Sequence, residues 1–365
     1  MKKLSLMLCI CLVVGLLSGC VGTTVVYHEN CTCPTEPVPG NEPTEETKPM
    51  PTDDVTDAEY VKTGLYIGTN LSGSTNATAE EAGKADYDVT LVAVTVDDGG
   101  VIRSCVIDSI GTSVAFDAAG VITSDVNAAI ATKNELGESY GMKAYAGSKY
   151  EWNEQAAAVA EYAVGKTADE LRSGAVTEAG KAKDADLATV ATIYIGGYVE
   201  GILAAAENAQ HLGAKSTDVL KLAALPSVKS SKSAEGENPG LAQLDVDVTA
   251  LTMEGDVITS CYIDSVQAKV AFDATGTVTT DLTAPVATKN QLGENYGMKK
   301  YAGSAYEWNE QAAAFADYVT GLTAAEVEGI AVDEGTKPTE ADLAATVTIA
   351  VGGYKALVVK AATAQ

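Results

Sequence analysis

Histidine is nearly absent from the sequence. The chain has two, His28 and His211, and neither lies at a position that recurs elsewhere. Nucleophilic triads with an imidazole base and zinc sites built on imidazole therefore lack their usual residue. We expect no catalytic histidine and no metal site.

Basic residues are also scarce, with 24 Lys and Arg against 50 Asp and Glu and a net charge of −26. Binding to nucleic acid depends on cationic side chains that neutralise phosphates. Because like charges repel and no basic stripe offsets them, nucleic acid is excluded as a partner and an anionic lipid surface is disfavoured.

Apolar runs that could span a membrane are missing, and the longest run stands at the amino terminus. Lys2 and Lys3 precede an apolar stretch from Leu4 to Leu17, and Ser18-Gly19-Cys20 follows. This order predicts a signal peptide over residues 1–19 with a lipoprotein cleavage box, since the run is short for a membrane span. Cys20 then carries a diacylglyceryl anchor, with palmitate as an acyl chain, at the extracellular face of the cytoplasmic membrane. The alternative is an ordinary signal peptide followed by an unmodified cysteine.

Cysteine is sparse for an exported protein. Of seven, three belong to the signal and the lipid site, and Cys31 and Cys33 lie close behind them. Cys105 and Cys261 each stand inside an apolar run, which predicts buried core thiols. We expect neither a disulfide framework nor a metal cage.

The chain divides into a tether and a repeat. Residues 20–60 are rich in Pro, Thr and Glu and predict a disordered stalk behind the lipid. Beyond it, Cys105, Trp152 and Gly196-Gly197-Tyr198 all recur 156 residues later, and 25 of the 31 positions in 132–162 are identical in 288–318. The repeat is domain-sized, so we predict module 1 at 61–211, a linker at 212–240 and module 2 at 241–365.

Each module is expected to be α+β, with an antiparallel sheet and packed helices. β-Branched residues alternate with others from Asp88, and a Gly-bearing turn at 97–100 and a second β-branched run from Val101 follow. This pattern predicts a hairpin, and a shorter hairpin is expected at 114–123. Ala-rich segments at 150–164 and 199–210 predict helices, with a capping box at Thr167 for a short helix between them. The β-branched stretch 189–195 predicts a strand. The segment 63–68 predicts an edge strand that the second copy has lost.

Two related segments carry the functional signal. Asp186-Leu-Ala-Thr-Val-Ala-Thr192 recurs as Asp342-Leu-Ala-Ala-Thr-Val-Thr348. Both segments resemble the flavinylation signature of FMN-binding domains, Asp-x-x-Ser/Thr-Gly-Ala-Thr. They depart from it at Val190, at Ala345 and at Thr346-Val347. The lipoprotein box, the stalk and the two modules together resemble the two-module flavin lipoproteins of Gram-positive extracellular electron transfer.

This resemblance implies a tandem duplication of an FMN-binding-type module. A flavin transferase would esterify FMN through its phosphate to Thr192 and Thr348, with Asp186 and Asp342 as motif acids. Trp152 and Trp308 are possible flavin contacts, with Tyr145 and Tyr301 behind them, and simple packing of both Trp is equally open.

The resemblance further implies a membrane-tethered flavoprotein that carries electrons. It would take them from a membrane quinol-oxidising dehydrogenase to extracellular acceptors such as ferric iron, as an electron-transfer protein more than an enzyme with a defined substrate. The alternative is a cofactor-free ligand-binding or sensory lipoprotein. In some related lipoproteins the residues before the lipidated cysteine are released as a pheromone peptide, which here would be residues 12–19.

Overall fold

The computed structural model describes residues 59–364. The signal peptide, Cys20, Cys31, Cys33 and nearly all of the predicted stalk therefore lie outside the described residues. Within 59–364, no helix is both long and apolar enough to cross a membrane.

Two three-stranded antiparallel sheets form the centre of the fold, which is α+β. The first contains β1 (Lys62–Asn70), β2 (Gly83–Val96) and β3 (Ile102–Phe116), in the order β1-β2-β3. The second contains β4 (Val219–Ser227), β5 (Gly240–Glu254) and β6 (Val257–Phe272), in the order β4-β5-β6.

The same series of helices follows each sheet. In the first repeat these are α1 (Lys133–Leu136), α2 (Met142–Ala146), α3 (Trp152–Ala163), α4 (Ala168–Gly174), α5 (Ala185–Val190) and α6 (Gly196–Glu207). In the second repeat they are α7 (Lys289–Leu292), α8 (Met298–Ala302), α9 (Trp308–Val319), α10 (Ala324–Glu328), α11 (Ala341–Ala344) and α12 (Gly352–Thr363). Single 3-10 turns at Gly137–Tyr140 and Gly293–Tyr296 precede α2 and α8.

Each sheet is covered on both faces. Helices α3 and α6 bury one face of the first sheet, and α9 and α12 bury one face of the second. The other two faces pack on each other and form one common core, in which the Phe116 and Phe272 rings stack at 4.0 Å. The order of layers is helices, sheet, sheet, helices, so neither repeat buries its inner sheet face without the other.

The predicted linker at 212–240 contains β4, which pairs along its whole length with β5. The second copy has therefore kept the edge strand that we expected it to have lost. The offset between the two repeats also changes within the second sheet, because the turn 254–256 is one residue shorter than the turn 97–100. Gly83 and Gly240 pair with Phe116 and Phe272, which sets β2 and β5 157 residues apart while β3 and β6 are 156 apart.

Two further predictions were wrong. The stretch 189–195 is not a strand: its start completes α5, whose N-cap residue Asp184 accepts hydrogen bonds from the backbone N–H groups of Asp186 and Leu187, and the rest is a loop. The short hairpin at 114–123 is reduced to a turn with one bridge, between Phe116 and Ile122, because β3 runs unbroken to Phe116.

The other helices follow the sequence pattern closely. Helix α3 begins at Trp152, two residues after the predicted start, and Gly165 with φ +81° follows its C-cap. The capping box at Thr167 and Glu170 is present. Cys261 is buried and Cys105 is half-buried, both are free thiols, and burial raises the pKa of each to about 12.

Candidate functional site

Each threonine of the motif lies exposed in the loop that follows a short helix. Thr192 comes two residues after the end of α5, and Thr348 comes four residues after the end of α11. Leu187 and Leu343 are buried and anchor the two helices to the helix-side cores. The loop is therefore fixed at its helical end while the threonine side chain faces solvent.

A fully buried glutamine fixes the loop at its other end. The Oε1 atom of Gln155 accepts hydrogen bonds from the Thr192 N–H at 2.8 Å, the Thr192 hydroxyl at 3.1 Å and the Ile193 N–H at 3.1 Å. Its Nε2 group donates to the Tyr150 carbonyl at 3.1 Å and to the Ser148 hydroxyl at 3.2 Å. One amide thus ties the threonine loop to the segment before α3.

The second repeat has the same arrangement. Gln311 Oε1 accepts from the Thr348 N–H at 2.8 Å, the Thr348 hydroxyl at 3.1 Å and the Ile349 N–H at 3.1 Å. Its Nε2 group donates to the Tyr306 carbonyl and the Ser304 hydroxyl. Both glutamines are 0 % exposed, so loss of either would leave buried donors unpaired.

A buried carboxylate positions the wall beside the threonine. The Glu151 carboxylate accepts hydrogen bonds from the backbone N–H groups of Met142 at 2.7 Å and Lys143 at 3.1 Å, at the start of α2. Glu307 does the same for Met298 and Lys299 at the start of α8. An acid at a helix start satisfies N–H groups that have no partner within the helix.

An aromatic cleft of about 670 Å³ opens next to the loop of the first repeat and is bordered by Ile193 and Tyr194. Its aromatic lining consists of Tyr140, Tyr145, Trp152, Tyr194 and Tyr198. The Tyr145 ring lies against Gly141, whose φ is +83° and where an added Cβ would come within 2.5 Å of that ring. Gly141 thus permits both the turn and the close approach of the ring.

The tryptophans lie behind the cleft rather than in front of it. Trp152 is 3 % exposed, and its Nε1 donates to the Tyr198 hydroxyl at 3.1 Å. Trp308 and Tyr354 repeat this contact at 3.0 Å. The exposed rings are instead Tyr145, at 90 %, and Tyr301, at 75 %. The Trp rings are thus buried behind the exposed Tyr rings, because the indole completes the helix-side core, and a direct contact of Trp152 or Trp308 with a flavin stays a prediction.

Two lysines bring positive charge to this acidic protein at the cleft. Lys133 Nζ lies 5.2 Å from the centre of the Trp152 ring and 5.4 Å from that of Tyr140. Lys181 Nζ donates to the Thr192 carbonyl at 2.6 Å. Both groups are placed where an anion would be stabilised.

The motif acids do not reach the threonines through a hydrogen bond in the described residues. Asp186 and Asp342 lie exposed in the first turns of α5 and α11. They are accessible from outside, at the end of the helix that favours negative charge.

Gln155, Glu151 and Lys133, with their counterparts Gln311, Glu307 and Lys289, are the site residues that sequence reasoning left without a role. The available signal was their position in the stretch 132–162, which recurs with 25 of 31 identities. Among residues 59–364, no group of three or more His, Cys, Asp or Glu side chains is placed to hold a metal ion.

Comparison with protein-family models, with curated proteins and with solved structures gives no match.

Proposed function

We propose that this chain is a membrane-tethered extracellular flavoprotein that carries electrons, with FMN esterified to Thr192 and Thr348. The observation that carries the proposal is an exposed threonine whose hydroxyl donates to a fully buried glutamine clamp, found in both repeats. A threonine held rigidly and exposed is suited to modification by a separate enzyme.

The residues present fit a flavin. The cleft of about 670 Å³ beside Thr192 lies within the range of small-molecule sites, roughly 300–1,000 Å³. Tyr145 and Tyr194 offer exposed faces to a planar ring, and Lys181, which donates to the Thr192 carbonyl, offers a cation at the residue that would carry the phosphate. In the second repeat, Tyr301 stands at the position of Tyr145 and Lys289 at that of Lys133, while Lys337 takes the position of Lys181 and Ala350 replaces Tyr194.

FMN, when bound, supplies reversible one-electron and two-electron transfer, and the protein supplies binding and orientation. Gln155 holds the acceptor loop before and after esterification. Esterification would remove the hydroxyl proton of Thr192 and with it one hydrogen bond to Gln155 Oε1. The hydrogen bonds from the backbone N–H groups of Thr192 and Ile193 would remain. Tyr140, Tyr145 and Tyr194 line the cleft and would shield a bound ring from water.

The proposed partners follow from this chemistry. A flavin transferase attaches FMN and reads Asp186 and Asp342 in the exposed first turns. A membrane quinol-oxidising dehydrogenase supplies electrons, and extracellular acceptors such as ferric iron remove them. The anchor at Cys20 keeps the carrier at the outer face of the membrane, and a covalent bond prevents loss of the cofactor to the surroundings.

Intact-mass spectrometry after co-expression with a flavin transferase tests the proposal. The mature chain should gain two FMN adducts, Thr192→Ala and Thr348→Ala should each remove one, and the double variant should remove both. Thr189→Ala is the matched control, because Ala345 already occupies the equivalent position in the second repeat. The proposal fails if no adduct forms on either threonine peptide.

A cofactor-free ligand-binding lipoprotein is the second candidate. A separate cavity of about 440 Å³ favours it, bordered among others by His211, Cys261, Asn290 and Asn309. A colourless protein after co-expression, together with a small molecule that raises its melting temperature, would support this function instead.

A further inference from the structure

The two candidate sites are built on the same frame but differ in charge. In the first repeat, Lys133 lies 3.8 Å from Asp88, and Glu135 acts on the buried Asp108; in the second, Asp245, Asp264 and one more carboxylate, Asp247, act on Lys289. The strand register places Thr90 at the position of Asp247, since Thr90 pairs with Ser109 and Asp247 pairs with Ser265.

Asp247 lies directly behind the aromatic pair of the second site. Its Oδ2 atom is 3.8 Å from the point where a Cβ on Gly353 would stand, at the start of α12. The next residue is Tyr354, whose hydroxyl accepts the hydrogen bond from Trp308 Nε1 at 3.0 Å. In the first repeat no atom occupies the equivalent space at Gly197 within 4 Å.

The extra carboxylate acts on groups at the site. Burial raises the pKa of Tyr354, and the negative charges of Asp247 and Asp245 raise it further. Burial lowers the pKa of Lys289, while Asp247, Asp245 and Asp264 oppose that change. Asp247 therefore adds a carboxylate behind the second site at the position where the first repeat has the neutral Thr90.

We infer that the two flavin sites are not equivalent, and that Asp247 gives the site at Thr348 a lower reduction potential than the site at Thr192. The inference rests on the proposed function. Reduction adds negative charge to a flavin, and a nearby fixed carboxylate disfavours that charge in a partly dehydrated site. An electron that exchanges between the two flavins would then reside mainly on the flavin of the first repeat.

Redox titration of proteins that carry a single flavin tests this inference. Thr348→Ala leaves the first site and Thr192→Ala leaves the second, and the second should have the lower midpoint potential. Asp247→Thr in the Thr192→Ala background should raise that potential, with a change on the order of tenfold in the ratio of reduced to oxidised flavin at a fixed potential. Thr90→Asp in the Thr348→Ala background should lower the potential of the first site.

Asp256→Thr provides the control for net charge, because Asp256 is exposed in the β5–β6 turn and should leave both potentials unchanged. Equal potentials at the two sites, or no shift with Asp247→Thr, would overturn the inference while the proposed function stands. Absence of flavin from both threonines would instead overturn the proposed function.

A second measurement does not need a flavin. In the protein without cofactor, Asp247→Thr should lower the pKa of Lys289, whereas the control Asp256→Thr should leave it unchanged. NMR of isotopically methylated lysines measures this pKa. An unchanged Lys289 titration would show that Asp247 exerts no field at this site and would contradict the inference directly.

Discussion

A single buried amide in each repeat determines where the candidate acceptor threonine stands. Gln311 uses both ends of its side chain, since Oε1 accepts from the loop of Thr348 while Nε2 donates toward the segment before α9. Neither end is exposed. A substitution at this residue should therefore affect both stability and the orientation of the threonine.

We predict that Gln311→Ala lowers the free energy of unfolding by about 2–4 kcal/mol, because it leaves a cavity and unpaired buried N–H groups. The variant should also lose the FMN adduct on Thr348 and keep the one on Thr192, whose own clamp, Gln155, is intact. Urea denaturation and intact mass measure the two effects. A variant that loses stability but keeps both adducts would show that the clamp does not position the threonine.

Asp264 adds a dependence of stability on pH. It is 8 % exposed, and burial raises its pKa to about 6, although hydrogen bonds from Thr288, Asn290 and Ser265 oppose the rise. The unfolded value is about 3.9. Since the folded pKa is the higher one, the contribution of this group to stability is complete below about pH 4 and is lost as pH rises through about 6.

Asp264→Asn should therefore gain stability relative to the wild type between pH 4 and pH 7, by at most about 3 kcal/mol. The amide oxygen can still accept from the N–H groups of Ser265 and Asn290. Denaturation at several pH values measures the difference, with Asp256→Asn as the exposed control. A difference that stays constant with pH would contradict the assignment.

At the scale of elements, the parts predicted from sequence are those decided by local chemistry. Helix α3 and the capping box at Thr167 depend on side chains within a few residues, so the pattern was sufficient to find them. The stretch 189–195 has the β-branched composition of a strand, but its start belongs to α5, and Gln155, distant in sequence, accepts from the N–H groups of Thr192 and Ile193. A single sequence does not reveal that competition.

Strand β4 was missed for a related reason. Pro226 and the polar residues after it indicate a linker, but an edge strand tolerates proline because one side of its backbone needs no partner. The predicted acids and threonines belong to a local motif, so sequence alone was enough to propose them. The clamp and the buried Trp depend on contacts between α3 and segments some 40 residues away, which the spacing of residues does not encode.

Ala224→Asp tests whether β4 is part of the core. Ala224 is 2 % exposed in the common core of the two sheets, so a buried, unpaired carboxylate there should cost more than about 3 kcal/mol. Lys229→Asp, two residues beyond the strand and exposed, should be nearly neutral. Urea denaturation compares the two variants. Equal tolerance of both would indicate that 212–240 is the linker that composition suggested.

At the scale of the whole molecule, the common core joins the two repeats into one folding unit. The stacked Phe116 and Phe272 rings and the apolar faces around them are buried only by contact between the sheets. Separating the repeats would expose both faces to water at a large free-energy cost. We therefore expect the described part of the chain to unfold in one transition.

The two tryptophans, one in each repeat, allow this to be tested by fluorescence. In a Trp308→Phe background, Trp152 reports only on the first repeat. Phe315 is fully buried in the helix-side core of the second repeat, so Phe315→Ala should lower stability by about 3–5 kcal/mol. If the repeats unfold together, the transition reported by Trp152 shifts by that full amount although the substitution lies in the other repeat. An unshifted Trp152 transition would show that the repeats unfold separately and that the common core contributes little coupling between them.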